Sequence, residues 1–207
     1  MFASPSIRPN RPLAAQRGFS LIEVSIVAAI ILLAAIVGIP AIGTYVIENK
    51  VPEVGRELQR FVARTKANAQ GGGPTPYVDI DTGALANAVR DSSALSVSGT
   101  GAAALVAHGL GGAGTAGNGV VTVEPVVFAS GGAGSGFAVT LNRVSHAACP
   151  ALASVMQRSA EIISVQGQGG AVVVKDSTAS PPLAYMAARA EAQCVQGDNN
   201  TFVFTVR

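Results

Sequence analysis

The chain has no tryptophan, and only 5% of its 207 residues are aromatic. Any core it builds must be aliphatic and rich in small side chains. No interleaving of rings with basic residues marks a stacking platform for single-stranded nucleic acid. Charge is also scarce, at 13% of residues, with 14 Lys and Arg against 12 Asp and Glu. Arg8, Arg11 and Arg17 all precede Gly18 with no acid among them, so the chain beyond Gly18 carries 11 basic and 12 acidic side chains. That balance is close to neutral and does not imply a nucleic-acid surface. Arg143, Arg158, Lys175 and Arg189 are the residues from which a basic cluster would have to form.

Catalytic patterns are missing in the same way. The two histidines, His108 and His146, have no Cys, Asp or Glu at metal-ligand spacing on a shared helix, so no zinc site is expected. Gly109, Gly111 and Gly114 match the spacing of a dinucleotide-binding loop. They run into Thr115-Ala116-Gly117-Asn118-Gly119, which cannot start the helix that such a loop requires. Ser130 lies in no nucleophile elbow. Asp79 and Asp81 alternate on a possible extended segment, where weak calcium binding competes with a solvated or helix-capping role. Asn199-Asn200-Thr201 matches a glycosylation sequon, but a polar turn is the simpler reading. The expectation is a protein that is not an enzyme and needs no metal or cofactor.

What the chain does have is one long apolar run. Residues 24–47 carry no formally charged side chain, enough to cross a hydrocarbon core of about 30 Å as a helix. Glu23 sits at the rim of this run. A carboxylate there is costly in lipid and asks for a cationic partner. Residues 1–18 are basic and proline-containing without an apolar core of their own. The positive-inside rule therefore holds the amino end in the cytoplasm and sends everything after Ile47 outward. Pro40 and Pro52 each remove a helical hydrogen bond, so kinks are expected at both.

Beyond the run, Val51, Val54, Leu58, Phe61, Val62 and Thr65 recur at helical spacing. Glu53, Arg56, Glu57, Arg60 and Arg64 take the other side. The helix should continue to about Gln70, where Gly71-Gly72-Gly73-Pro74 stops it. Short elements follow. A helix is expected over 82–90 with Thr82 as its cap, and the Gly- and Ala-rich stretch 99–119 reads as loop or weakly ordered surface. Strands are expected over 120–128 (broken by Pro125), 137–144, 171–175 and 201–207. Further helices are expected over 150–161, with Leu152, Val155, Met156 and Ile163 towards the core, and over 182–192. This order gives an α+β head whose sheet packs on the stripe of residues 51–65. Cys149 and Cys194 are the only cysteines. In an exported chain an even count is read first as a disulfide, ahead of a metal or redox pair, which need closer spacing or further ligands.

Arg17-Gly18-Phe19-Ser20-Leu21-Ile22-Glu23-Val24 resembles the processing site of type IV prepilins. Ala148-Cys149-Pro150-Ala151-Leu152 and the closing segment 194–204, a cysteine followed by an Asp-Asn-Asn turn and a strand, resemble type IVb pilins (the toxin-coregulated, bundle-forming and thin conjugative kinds). Two features depart from that subgroup: Phe19 is the usual first residue of type IVa pilins, and the leader is short. The resemblance implies a leader, 1–18, removed between Gly18 and Phe19 by a prepilin peptidase that also methylates the Phe19 amine. It implies a membrane and polymerisation helix over 19–47, an amphipathic helix over 48–70 and a head over 71–207, the type IV pilin fold. It further implies that Glu23 attracts the amine of a neighbouring subunit during assembly on an inner-membrane platform. The expected location is the bacterial inner membrane and then an extracellular filament of identical subunits. A type II secretion pseudopilin or a minor pilin shares the N-terminal motif and is the alternative.

Overall fold

The computed structural model describes residues 20–167 and 169–207. The leader and both residues of the expected cleavage site, Gly18 and Phe19, lie outside the described residues. The chain divides into two compact units, residues 1–41 and 42–207. Helix α1, Leu21–Asn68, contributes its first part to one and its second part to the other. Both Pro40 and Pro52 fall within its helical backbone.

The second unit is an α+β domain around one seven-stranded antiparallel sheet. In chain order its elements after α1 are α2 (Thr82–Val89), β1 (Ser96–Ser98), β2 (Leu105–Ala107), β3 (Val120–Val127), β4 (Ala133–Val144), α3 (Cys149–Met156), β5 (Ile162–Gln166), β6 (Val172–Asp176), α4 (Ala187–Glu191) and β7 (Asn200–Val206). The spatial order is β1-β2-β3-β4-β7-β5-β6. The last strand in the chain thus lies inside the sheet, paired with β4 on one side and β5 on the other.

The scarce aromatics explain how this sheet meets the helix. All five phenylalanines among the described residues are buried. Phe61 of α1 meets Phe137 of β4 edge-on, with ring centroids 6.3 Å apart, and Tyr77 closes on the same ring at 4.9 Å. Phe202 and Phe204 stack at 5.8 Å on the inner face of β7. The expected stripe is buried along Val51, Val54, Leu58, Phe61 and Val62 within one continuous core that also holds Leu141, Leu152, Met156 and Ile163. Gly55 lies in the same helix where α3 approaches; a Cβ there would stand 2.3 Å from Val155 Cγ1, so only glycine allows the contact. Gln59 fixes the approach by donating to the Val155 carbonyl at 2.6 Å.

Five local expectations need correction, each for a physical reason. The cap of α2 is Asp81, whose Oδ1 accepts from the Ala84 amide at 2.8 Å. Thr82 instead accepts the Val123 amide at 3.0 Å and ties the helix to β3. Pro125 does not break β3, because the β3–β4 register continues through the Pro125–Phe137 pair. Residues 99–119 are not simply loop: β2 pairs with β1 and β3, and Ala104, Val106, His108 and Leu110 are buried. Helix α3 stops at Met156 because residues 162–166 are claimed by β5, which β6 and β7 flank. Lys175 Nζ donates to the carbonyls of Gln157 and Ala160 and closes the end of that helix. Finally, α4 is confined to Ala187–Glu191, because Leu183 exchanges both backbone hydrogen bonds with Asp176 upstream of it.

Cys149 and Cys194 are joined by a disulfide with Cα atoms 6.0 Å apart, well within the range such a bond spans. It staples the start of α3 to the chain leaving α4, across a sequence separation of 45. Replacing both cysteines with serine should lower stability towards a loop-entropy limit of about 4 kcal/mol. Denaturant titration of the full chain with and without reductant checks this; equal midpoints for the oxidised wild type and the double variant would contradict it.

Candidate assembly surface

Two features of the described residues stand out chemically: an uncovered apolar helix and a buried polar node at one end of the sheet. In the first unit α1 carries Leu21, Ile22, Val24, Ile26, Val27, Ile30, Ile31, Leu32, Leu33, Ile36 and Val37, all exposed. An 18-residue apolar window of α1 has none of its residues buried within the chain. A soluble monomer rarely exposes so continuous an apolar surface, and by length and composition this helix can cross a membrane. Glu23 stands in the first turn of α1, where the helix dipole favours an acid, and its side chain is exposed. Nearby, the Ser25 hydroxyl donates to the Leu21 carbonyl at 2.8 Å, a bond that satisfies a polar group without water. The structure therefore places Glu23 on the apolar helix, while its expected partner at Phe19 lies outside the described residues. A Cβ at Gly38 or Gly43 would meet nothing within 4 Å, so nothing in the chain's own fold requires glycine at either position.

The polar node is in the head. Asn200, fully buried at the start of β7, accepts the Val195 amide at 2.8 Å and donates to the carbonyls of Val195 (2.9 Å) and Val144 (3.1 Å). It holds the Asp-Asn-Asn turn against the end of β4. There the β4–β7 register shifts between Leu141 and Val144, and Arg143 adopts a left-handed φ of 54°. This bulge turns Asn142 towards β3, and its Oδ1 accepts from the amides of Gly119 (2.9 Å) and Val120 (3.0 Å). Arg143 donates to Asn199 at 2.9 Å. Asn142 carries no sequence signal that marks it, and the polar turn around Asn200 did not reveal the bonds it makes to Val144 and Val195.

The remaining candidates do not come together as a site. Lys175 is occupied with the carbonyls that end α3, and Arg143 with Asn199, so neither is a free member of a basic cluster. Among the described residues no three His, Cys, Asp or Glu side chains converge as metal ligands. Asp176 has its carboxyl held below the usual range by the Thr178 hydroxyl and amide, which close a turn rather than bind a ligand. Asp79 lines an open cleft beside Tyr77, Asn68 and Thr65.

Two expectations follow. Ile31→Arg should cost about 2.5–3.5 kcal/mol of membrane insertion, read as loss of the full chain from the carbonate-resistant membrane fraction. Asn200→Ala should destabilise the head by about 2–4 kcal/mol, because one buried and two part-buried backbone groups lose their partner; an unchanged thermal midpoint would refute it.

Comparison with known proteins finds similarity over part of this chain. Residues 115–207 match the family model described as PilS N terminal. Among solved structures, a type IVb pilin from Salmonella typhi is similar at 20% identity and a TM-score of 0.46, covering 72% of this chain and 97% of that one. No curated protein matches the sequence.

Proposed function

We infer that this chain is a type IV prepilin that is processed and polymerised into a type IV pilus, a reading supported by the match of residues 115–207 to the family model described as PilS N terminal. The observation that carries the reading is the apolar half of α1, which the chain's own fold leaves uncovered. Before assembly this helix anchors the protein in the bacterial inner membrane as a single span with its amino end cytoplasmic. After extraction, copies of the helix cover one another in an extracellular filament. Ala28, Ala29, Ala34, Ala35 and Gly38 permit the close helix approach that packing without a hydrophobic driving force requires. Pro40 and Pro52 each remove a helical hydrogen bond within α1.

A prepilin peptidase cuts between Gly18 and Phe19 and methylates the new amine. On an inner-membrane assembly platform, Glu23 of one subunit attracts that amine on the next. Removing one partner of a buried ion pair strands the other at a cost of about 3–5 kcal/mol, while the pair itself adds little over apolar packing. Glu23 therefore checks register rather than gluing the filament. Glu23→Ala should leave cleavage intact and abolish filaments; abundant filaments from this variant would sink the docking role.

N-terminal mass spectrometry on sheared filaments, without reduction, tests the whole reading. A dominant species beginning at methylated Phe19 with Cys149 linked to Cys194 is the expected result. Processed protein confined to the membrane would indicate a type II secretion pseudopilin or a minor pilin. An intact Met1 start would overturn the prepilin assignment.

A further inference from the structure

The glycine-rich segment 109–119 is held against the head by a few hydrogen bonds, one of them to the buried His108 imidazole. His108 is fully buried. Its Nε2 lies 2.8 Å from the Asn142 carbonyl, which can only accept, so Nε2 carries the proton. Nδ1 is then the lone-pair nitrogen, and it accepts the Leu110 amide at 3.0 Å. Both ring nitrogens are engaged and the ring is neutral. A second proton has one place to go, Nδ1, where it would face the Leu110 N–H donor to donor.

The rest of the segment depends on this contact and a few others. Leu110 is its one fully buried large side chain, and the Leu110 carbonyl accepts the Ser145 amide at 2.8 Å. The Gly112 amide donates to the Asp198 carboxylate at 2.9 Å, and Gly119 donates to Asn142. Gly109, Gly111, Gly112, Gly114, Gly117 and Gly119 all have positive φ, so the backbone between the anchors is unusually free to rearrange once they release. The charged and titratable groups around the ring are few. Asp198 comes from the turn before β7, Lys50 of α1 lies beside Gly109, Arg143 of β4 is bonded to Asn199, and His146 follows Ser145.

We propose that residues 109–119 form an acid-released flap, latched by the neutral His108 imidazole, whose opening uncovers Leu110 and the core beneath it. Burial holds the His108 pKa below its ordinary value, against the Asn142 hydrogen bond and the Asp198 charge, which act the other way. An open flap gives the ring back to water, where it binds a proton more readily than in the closed state. The closed state is therefore fully favoured above about pH 6.5 and loses ground as pH falls below it.

Hydrogen exchange read by mass spectrometry on the full chain in detergent micelles tests this. After correction for intrinsic rates, protection of residues 109–119 should fall by up to about tenfold per pH unit below about pH 6.5, with β7 still protected. His108→Gln retains a donor for Asn142 and an acceptor for Leu110 but does not titrate in this range, so its flap should stay closed. Unchanged protection in the wild type, simultaneous loss in β7, or equal opening in His108→Gln would each overturn the proposal. Should His108→Gln not fold, nitrogen NMR of the wild-type ring decides. The Nε2–H tautomer and the Leu110 amide shift should titrate together at a midpoint below about 6.5, and a ring titrating at or above that value refutes the latch.

Discussion

Burial of one helix face against one sheet face is the constraint on which the head depends. Val51, Val54, Leu58, Phe61 and Val62 present a stripe that water would penalise, and β4 and β7 present Phe137, Val139, Leu141, Phe202 and Phe204 to meet it. The edge-on contact of Phe61 with Phe137 is the centre of that meeting. Gly55 lets α3 close from the side, and Gln59 sets the distance. The disulfide then ties the returning chain to α3, so the last strand enters a core whose walls are already positioned.

The same helix does two chemically different things along its length. In residues 51–62 its apolar face is matched by its own chain, and charged residues cover the other side. In residues 21–37 nearly every side chain is apolar, and its large apolar side chains are exposed among the described residues. A single helix thus passes from a region satisfied by intramolecular packing to one that only lipid or other copies can satisfy. The proposed pilin function is supported by that asymmetry together with the match of residues 115–207 to the PilS N terminal family model.

Much of this was legible in the sequence because period and composition carry it. The stripe of residues 51–62, the alternation of Phe202, Phe204 and Val206, the apolar run and the cysteine pair are all direct consequences of side-chain spacing. What was not legible depends on partners distant in sequence. Residues 162–166 are β-branched and apolar in a way that suits the end of a helix or a strand, and only the vacancy between β6 and β7 decides for β5. The 99–119 stretch looked unstructured because glycine dominates it, yet its order comes from Asn142 and Asp198, both distant in sequence, and from His108 within the stretch, whose buried ring accepts the Leu110 amide. Asp81 takes the cap because the helix begins one residue earlier than a Thr82 cap would place it, and the Thr82 hydroxyl is then free to reach β3. The Glu23 docking role had no comparable check, since its partner residue lies outside the described residues.

The position of β7 has a consequence for how such a molecule is made. Strands β1 to β4 and strands β5 to β6 form two groups that touch in the sheet only through β7, which leaves the ribosome after all of them. Neither group can complete the sheet before β7 has been made. The two groups therefore stay unpaired at their facing edges until the seven-residue β7 arrives to join them.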